Sequence, residues 1–219
     1  MPAQPSSIKT PATAPSTGIG TGAPTDGTLA DLLQAARACR VCAAHLPHGS
    51  RPVLQAGAGA RILVVGQAPG ARVHASGVPW ADASGDRLRA WMGVDKATFH
   101  DAERIALIPM GLCYPGRGTG GDLPPRPECA PLWMDALLGK LPRVELTLLV
   151  GVHAQRRFLG NRRQRTLTDR LRSWQDHAPA FFPLPHPSPR NTPWIQAHPW
   201  IEHDLLPALR LRVHALLER

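Results

Sequence analysis

The sequence predicts an α/β fold, a three-layer αβα sandwich around a central four-stranded parallel sheet, and three observations lead there. Four short apolar runs, interrupted only by Thr147, occupy residues 62–65, 105–108, 146–150 and 181–184. Amphipathic stretches lie between them, and strands alternating with helices indicate a parallel sheet covered on both faces. Gly- and Pro-rich polar loops follow three of the runs directly, where open α/β sheets carry their working residues. At 219 residues, 43% of them hydrophobic, the chain has enough apolar matter for one sizeable core and no promise of a second.

Residues 1–27 are Pro, Ala, Ser, Thr and Gly with almost no large apolar groups. Such a segment cannot bury enough surface to offset its ordering entropy, so a disordered tail is expected there and a single domain over 28–219. Thr28 precedes apolar residues at helical spacing and reads as the cap of a first helix running toward Cys39. Helices are expected over 85–92, 128–141, 153–159 and 167–174, and a last long one over 203–217 closes the fold.

The formal charge of +9 and pI near 10.6 point to a polyanionic partner, although an arginine-rich coding bias would give the same balance. Only Lys9, Lys96 and Lys140 are lysines; the other cations are arginines, whose forked guanidinium suits phosphate. No apolar run reaches the ~18–20 residues of a membrane span. The N-terminus lacks the charged start and apolar middle of a secretion signal. A cytoplasmic protein is expected, and in a reducing compartment four cysteines favour metal binding over disulfides.

Gly66-Gln67-Ala68-Pro69-Gly70 follows the first strand, a tight turn whose backbone can approach a ligand closely. His186-Pro187-Ser188-Pro189-Arg190-Asn191 follows the fourth, and the prolines leave His186 little freedom. Between them lies Gly77-Val78-Pro79-Trp80-Ala81-Asp82-Ala83-Ser84-Gly85-Asp86. Cys39-x2-Cys42 is followed after 70 residues by Cys113-x15-Cys129. Four thiolates so spaced permit a structural zinc or an iron–sulfur cluster, either tying the Gly- and Pro-dense loop 114–128 to the first helix.

Taken together, these motifs resemble the uracil-DNA glycosylase superfamily over about residues 30–215, and the cysteine spacing resembles its iron–sulfur branches. The resemblance implies a monofunctional, monomeric DNA glycosylase that removes uracil or a related deaminated base, with a 4Fe–4S cluster on Cys39, Cys42, Cys113 and Cys129. It implies that Trp80 stacks on the flipped base and that His186 donates to the base oxygen as charge develops. Asp82 would position water and offset charge on the sugar, unless it merely caps a helix, in which case Asp86 takes that role. Gln67, a neutral amide where relatives carry glutamate or an apolar residue, would orient water. Gly66 and Ala68 would line the base site, and Ser188, Arg190 and Asn191 would meet DNA. Pro109 stands where relatives place an asparagine that reads the base edge, so this chain departs from them there. No lysine near the motifs is available for a Schiff-base step. Two other functions fit the same residues: a non-catalytic nucleic-acid-binding member, and a zinc-stapled α/β protein acting on a nucleotide or small phosphate.

Overall fold

The computed structural model describes residues 27–160 and 166–219, so the expected tail lies outside the described residues except for Gly27. Its strands are β1 (Ile62–Val65), β2 (Ile105–Leu107), β3 (Arg117–Gly118), β4 (Gly121–Asp122), β5 (Leu146–Val150) and β6 (Phe181–Leu184). Four of them form one parallel sheet in the order β2-β1-β5-β6. Ile62 pairs with both Ile105 and Leu146, and Thr147 with Phe181. Every residue of β1, β2 and β5 is buried, which is why these runs, Thr147 apart, are apolar throughout rather than alternating. The edge strand β6 tolerates Pro183, which has no N–H to give a ladder.

The helices are α1 (Leu29–Ala38), α2 (Ala71–Ser76), α3 (Ala83–Met92), α4 (Lys96–Phe99), α5 (Cys129–Leu138), α6 (Val152–Leu159), α7 (Leu167–Arg172), α8 (Thr192–Gln196) and α9 (Leu206–Leu217). Alternate strand residues point to opposite layers. Ile62, Val64, Leu107, Leu148 and Leu184 pack with Leu88 and Met92 of α3 and Leu209 and Val213 of α9. Leu63, Val65, Ala106 and Leu149 pack with Leu33 of α1, Met134 and Leu137 of α5 and Ala154 of α6. Two cores back to back across one sheet make the three layers.

Several expected boundaries move for identifiable reasons. The helix expected over 85–92 begins at Ala83, because Asp82 accepts the Gly85 N–H and caps it. That expected over 128–141 ends at Leu138, and Lys140 and Leu141 donate to Leu137 and Leu138 in a tighter turn. The one expected over 153–159 starts one residue earlier, and that over 167–174 ends at Arg172 before a 3₁₀ turn, Trp174–Asp176. The last helix opens as a π turn, Ile201–Leu205, and becomes α-helical from Leu206. Pro207 has no N–H and its ring conflicts with the carbonyl four residues back, which the wider turn relieves. Ile108 leaves the β2 ladder, though its N–H still reaches Val64 O at 3.1 Å.

Sheet order decides where a ligand can enter. From β1 the chain steps to β2 on one side and then crosses to β5 on the other, so the loops leaving β1 and β5 diverge and open a crevice at their carboxyl ends. Fully buried Gln155, on α6, fastens that end: its Nε2 donates to Leu184 O at 2.9 Å and Leu149 O at 3.3 Å. Gln155→Ala, which leaves those carbonyls one donor short, is expected to lower the unfolding free energy by about 1–3 kcal/mol. Urea denaturation at unchanged slope measures it, and wild-type stability would show that the clamp contributes nothing.

Candidate active site

The loop Gly66–Gly70 leaves β1, and the chain leaving β2 zips against it through Met110 N–H to Gly66 O and Gly111 N–H to Gln67 O, both at 2.9 Å. A cavity of about 130 Å³ opens beside this junction, roughly ten times the minimum for one water. Its walls include Gly66, Gln67, Ala68 and Pro109 from that side, Trp80 and Asp82 from the segment before α3, and His186 and Ser188 from the loop after β6. Residues far apart in sequence, singled out for one chemistry, therefore share one pocket.

Trp80 is the most constrained of them. Its φ of 56° is unusual for a residue with a side chain and marks stored strain. Its ring lies against the bare α-carbon of Gly66, where a Cβ would stand 2.8 Å from the ring. A Cβ on Gly85 would stand 1.8 Å from Trp80 O. The buried Arg89 holds the same carbonyl from Nη1 at 3.3 Å, bonds Asp86 at 2.5 Å and stacks its guanidinium over Phe99 at 5.4 Å. Asp86 is thus paired to Arg89 and does not line the pocket.

Asp82 is both a cap and a pocket residue. Oδ1 accepts the Gly85 N–H at 2.9 Å, while Oδ2 lies on the pocket side, 3.8 Å from where a Cβ on Gly70 would be. His186 Nδ1 accepts the Ser188 N–H at 3.2 Å, so the proton of the neutral ring sits on Nε2. Burial pushes this imidazole below its usual range, outweighing the opposite pull of Asp82 and Asp122. The ring stands 6.2 Å from that of Trp80, tilted by 32°. Arg87 of α3 steadies this loop through Ser188 O at 3.3 Å and Thr192 Oγ1 at 2.9 Å.

Three further side chains turn to the protein itself. Asn191 Nδ2 donates to His186 O at 2.8 Å, and Arg190 Nη1 donates to Gly120 O at 3.0 Å. Gln67 Nε2 donates to Leu123 O at 3.3 Å. The last two grip a β3–β4 hairpin that no sequence pattern announced. It brings Asp122 to the pocket wall, a residue that sequence reasoning missed because an acid after two glycines reads as an ordinary turn.

The four cysteines gather beside this unit. Cys39 caps α1, Cys129 opens α5, and Cys42 and Cys113 pack with Leu46 in a small buried cluster. Leu112 N–H donates to Cys129 Sγ at 3.2 Å, and Ser50 Oγ lies 3.6 Å from Cys113 Sγ. Burial pushes the Cys129 thiol up to about 12, and Cys113, Cys42 and Cys39 each add to the rise. Burial likewise raises Cys42, with Cys113, Cys39 and Glu128 adding to the rise. Thiols that disfavour one another's ionisation share one neighbourhood, and a cationic centre among them would remove the penalty. Among the described residues no three His, Cys, Asp or Glu side chains are arranged to hold a single metal ion.

Burial also lowers His153, so two imidazoles take up protons more readily in the unfolded chain than in the native one. Stability is therefore expected to fall as pH drops through about 6.5, where the unfolded imidazoles charge, and to level off below the depressed native values. Thermal denaturation between pH 7.5 and 5 measures the slope, and His186→Asn is expected to flatten part of it; an unchanged slope would remove His186 as a contributor.

Comparison with protein families agrees with this geometry. The model of the uracil DNA glycosylase superfamily matches residues 55–210, a span that runs from before β1 into α9 and contains the pocket wall from Gly66 to Ser188, leaving out only Val53 of the lining. Among the described residues no helix is long and apolar enough to cross a membrane. With that match covering most of its length, and a DNA-glycosylase kind of function following from it, the chain belongs to the uracil DNA glycosylase superfamily.

Proposed function

We propose that this protein is a monofunctional glycosylase that hydrolyses the N-glycosidic bond of uracil, or a related deaminated base, in DNA. The observation that carries the reading is a neutral His186, whose Nε2 proton meets no acceptor among the described residues, in one pocket with Trp80 and Asp82. A base inside a duplex must leave the stack at a cost of a few kcal/mol, and phosphate contacts from the arginine-rich surface help offset it. Trp80 would then meet the face of the extruded ring. His186 Nε2–H would donate to the base oxygen on which negative charge grows as the C1′–N bond breaks, a preorganised donor in a site partly withdrawn from water. Asp82 Oδ2 would offset the positive charge that develops on the sugar. Pro109 brings neither a side-chain donor nor an N–H, so reading the base edge falls to the backbone of the Gly66–Gly70 loop and to the amide oxygen of Gln67. Among the described residues no lysine lines the pocket, which supports hydrolysis by water over a Schiff-base lyase step.

His186→Ala and Asp82→Asn are each expected to slow base release with little change in DNA affinity, because both groups act on charge absent from the ground state. Loss of one oxyanion donor is worth ~10²–10³ in rate. Single-turnover assays on duplexes carrying uracil, hypoxanthine or xanthine, with affinity measured on an uncleavable analogue, check this. Wild-type rates in both variants would remove the assignment. Tight DNA binding by a wild-type protein that releases none of the three bases would replace it with a non-catalytic role.

The cysteine neighbourhood supports a 4Fe–4S cluster held by Cys39, Cys42, Cys113 and Cys129. The N–H on Cys129 Sγ and the α5 N-terminus at the same residue suit a thiolate ligand, and a cluster spreads its four ligands more widely than one zinc ion does. The group would supply a structural tether between α1, the chain leaving β2 and α5. Protein purified without oxygen is expected to be brown and to contain about four irons per chain. One equivalent of zinc without iron would overturn the cluster.

A further inference from the structure

We infer that Asp122 is a second catalytic carboxylate of this pocket, the group that takes the proton from the attacking water. The inference rests on the glycosylase reading above. Asp122 belongs to β4, and the hairpin carrying it is fastened on both sides by pocket loops. Arg190 Nη1 holds Gly120 O at 3.0 Å, and Gln67 Nε2 holds Leu123 O at 3.3 Å. The tether is built into the backbone: Gly121 has a φ of 135°, and a Cβ there would stand 2.4 Å from the Arg190 guanidinium. That φ is one a residue with a side chain rarely adopts.

Between the two anchors the Asp122 side chain turns toward the pocket. Its Oδ2 lies 3.4 Å from where a Cβ on Gly70 would be, and Asp82 Oδ2 lies 3.8 Å from the same point. Two carboxylate oxygens from different elements converge over one glycine. Both carboxylates also act on His186, which places all three groups in one electrostatic neighbourhood. Their circumstances differ. Asp82 has committed Oδ1 to the cap of α3. Among the described residues no hydrogen bond or ion pair takes up the Asp122 carboxylate, and the residue is exposed to solvent. Asp82 is thus fixed for a charge that appears at the sugar, and Asp122 is free to accept a proton and release it.

The step balances as follows. The C1′–N bond breaks and its electron pair leaves with the base, whose oxygen accepts the His186 Nε2–H bond. The water oxygen bonds to C1′, its proton passes to Asp122 and on to solvent, and the departing base anion takes one proton from solvent. The products are an abasic sugar and a free base.

Single-turnover assays on a uracil duplex with Asp122→Asn and Asp122→Ala, each with and without added formate, test the assignment. Both variants are expected to be slower by ~10²-fold or more, as for loss of a general base. Affinity for an uncleavable analogue should stay within about twofold. Formate should raise the rate of Asp122→Ala, because a small carboxylate can enter the exposed space, and leave Asp122→Asn unchanged; a merely structural role would not respond to it. Wild-type rate in Asp122→Ala, beside slow His186→Ala and Asp82→Asn, would overturn this assignment and leave the glycosylase reading standing. So would a slow variant that formate does not raise, or one whose affinity falls with its rate. A wild-type protein that releases no base would overturn both.

Discussion

The contact between the Trp80 ring and the bare α-carbon of Gly66 is the constraint on which the pocket rests. The indole can lie flat at the mouth of β1 only because nothing projects from Gly66, and the Trp80 carbonyl can reach the start of α3 only because nothing projects from Gly85. Holding a tryptophan at φ 56° costs on the order of 1–3 kcal/mol, and such strain persists only where the surroundings over-determine it. Arg89 does so, by joining the Trp80 carbonyl, the Asp86 carboxylate and the Phe99 ring inside the protein. The cap at Asp82 follows directly, so the aromatic floor and the carboxylate of the site are set by one local arrangement.

A second consequence concerns charge. A partly enclosed pocket favours neutral groups, and burial accordingly outweighs two nearby carboxylates at His186. That balance suits a hydrogen-bond donor better than a cation: the donor strengthens as negative charge grows in front of it, and it adds no standing positive charge to a site that also holds Asp82. The Ser188 N–H is essential to this, because without an acceptor role at Nδ1 the ring would be free to place its proton on the wrong nitrogen.

The sequence was readable where one kind of local information suffices. Continuous runs such as Ile62–Val65 mark strands buried on both faces, and all four strands of the main sheet were legible as short apolar runs. Short elements were not: α2, α4 and α8 have six, four and five residues, too few for a helical period to show. Asp82 posed a choice between cap and site residue; in the structure Oδ1 caps α3 while Oδ2 lies on the pocket side. Gln67, Arg190 and Asn191 were legible as residue types in the right loops, but their partners are carbonyls on the hairpin and at His186, contacts that only the tertiary structure creates. Asp122 was invisible for the same reason: two-residue strands carry no pattern.

These contacts also explain why the cysteines and the pocket belong to one mechanical unit. The chain leaving β2 lines the pocket at Pro109 and reaches Cys113 four residues later. It then passes the buried Tyr114, stacked on His48 at 5.1 Å, forms the hairpin that carries Asp122, and returns to Cys129 at the start of α5. This segment is dense in glycine and proline and contributes few residues to either main core, so local packing cannot fix it. Its position must come from its ends and from the two side chains that grip the hairpin. A tether at Cys113 and Cys129, as the proposed cluster would supply, thus bears on where Asp122 stands, even though no cysteine lines the pocket.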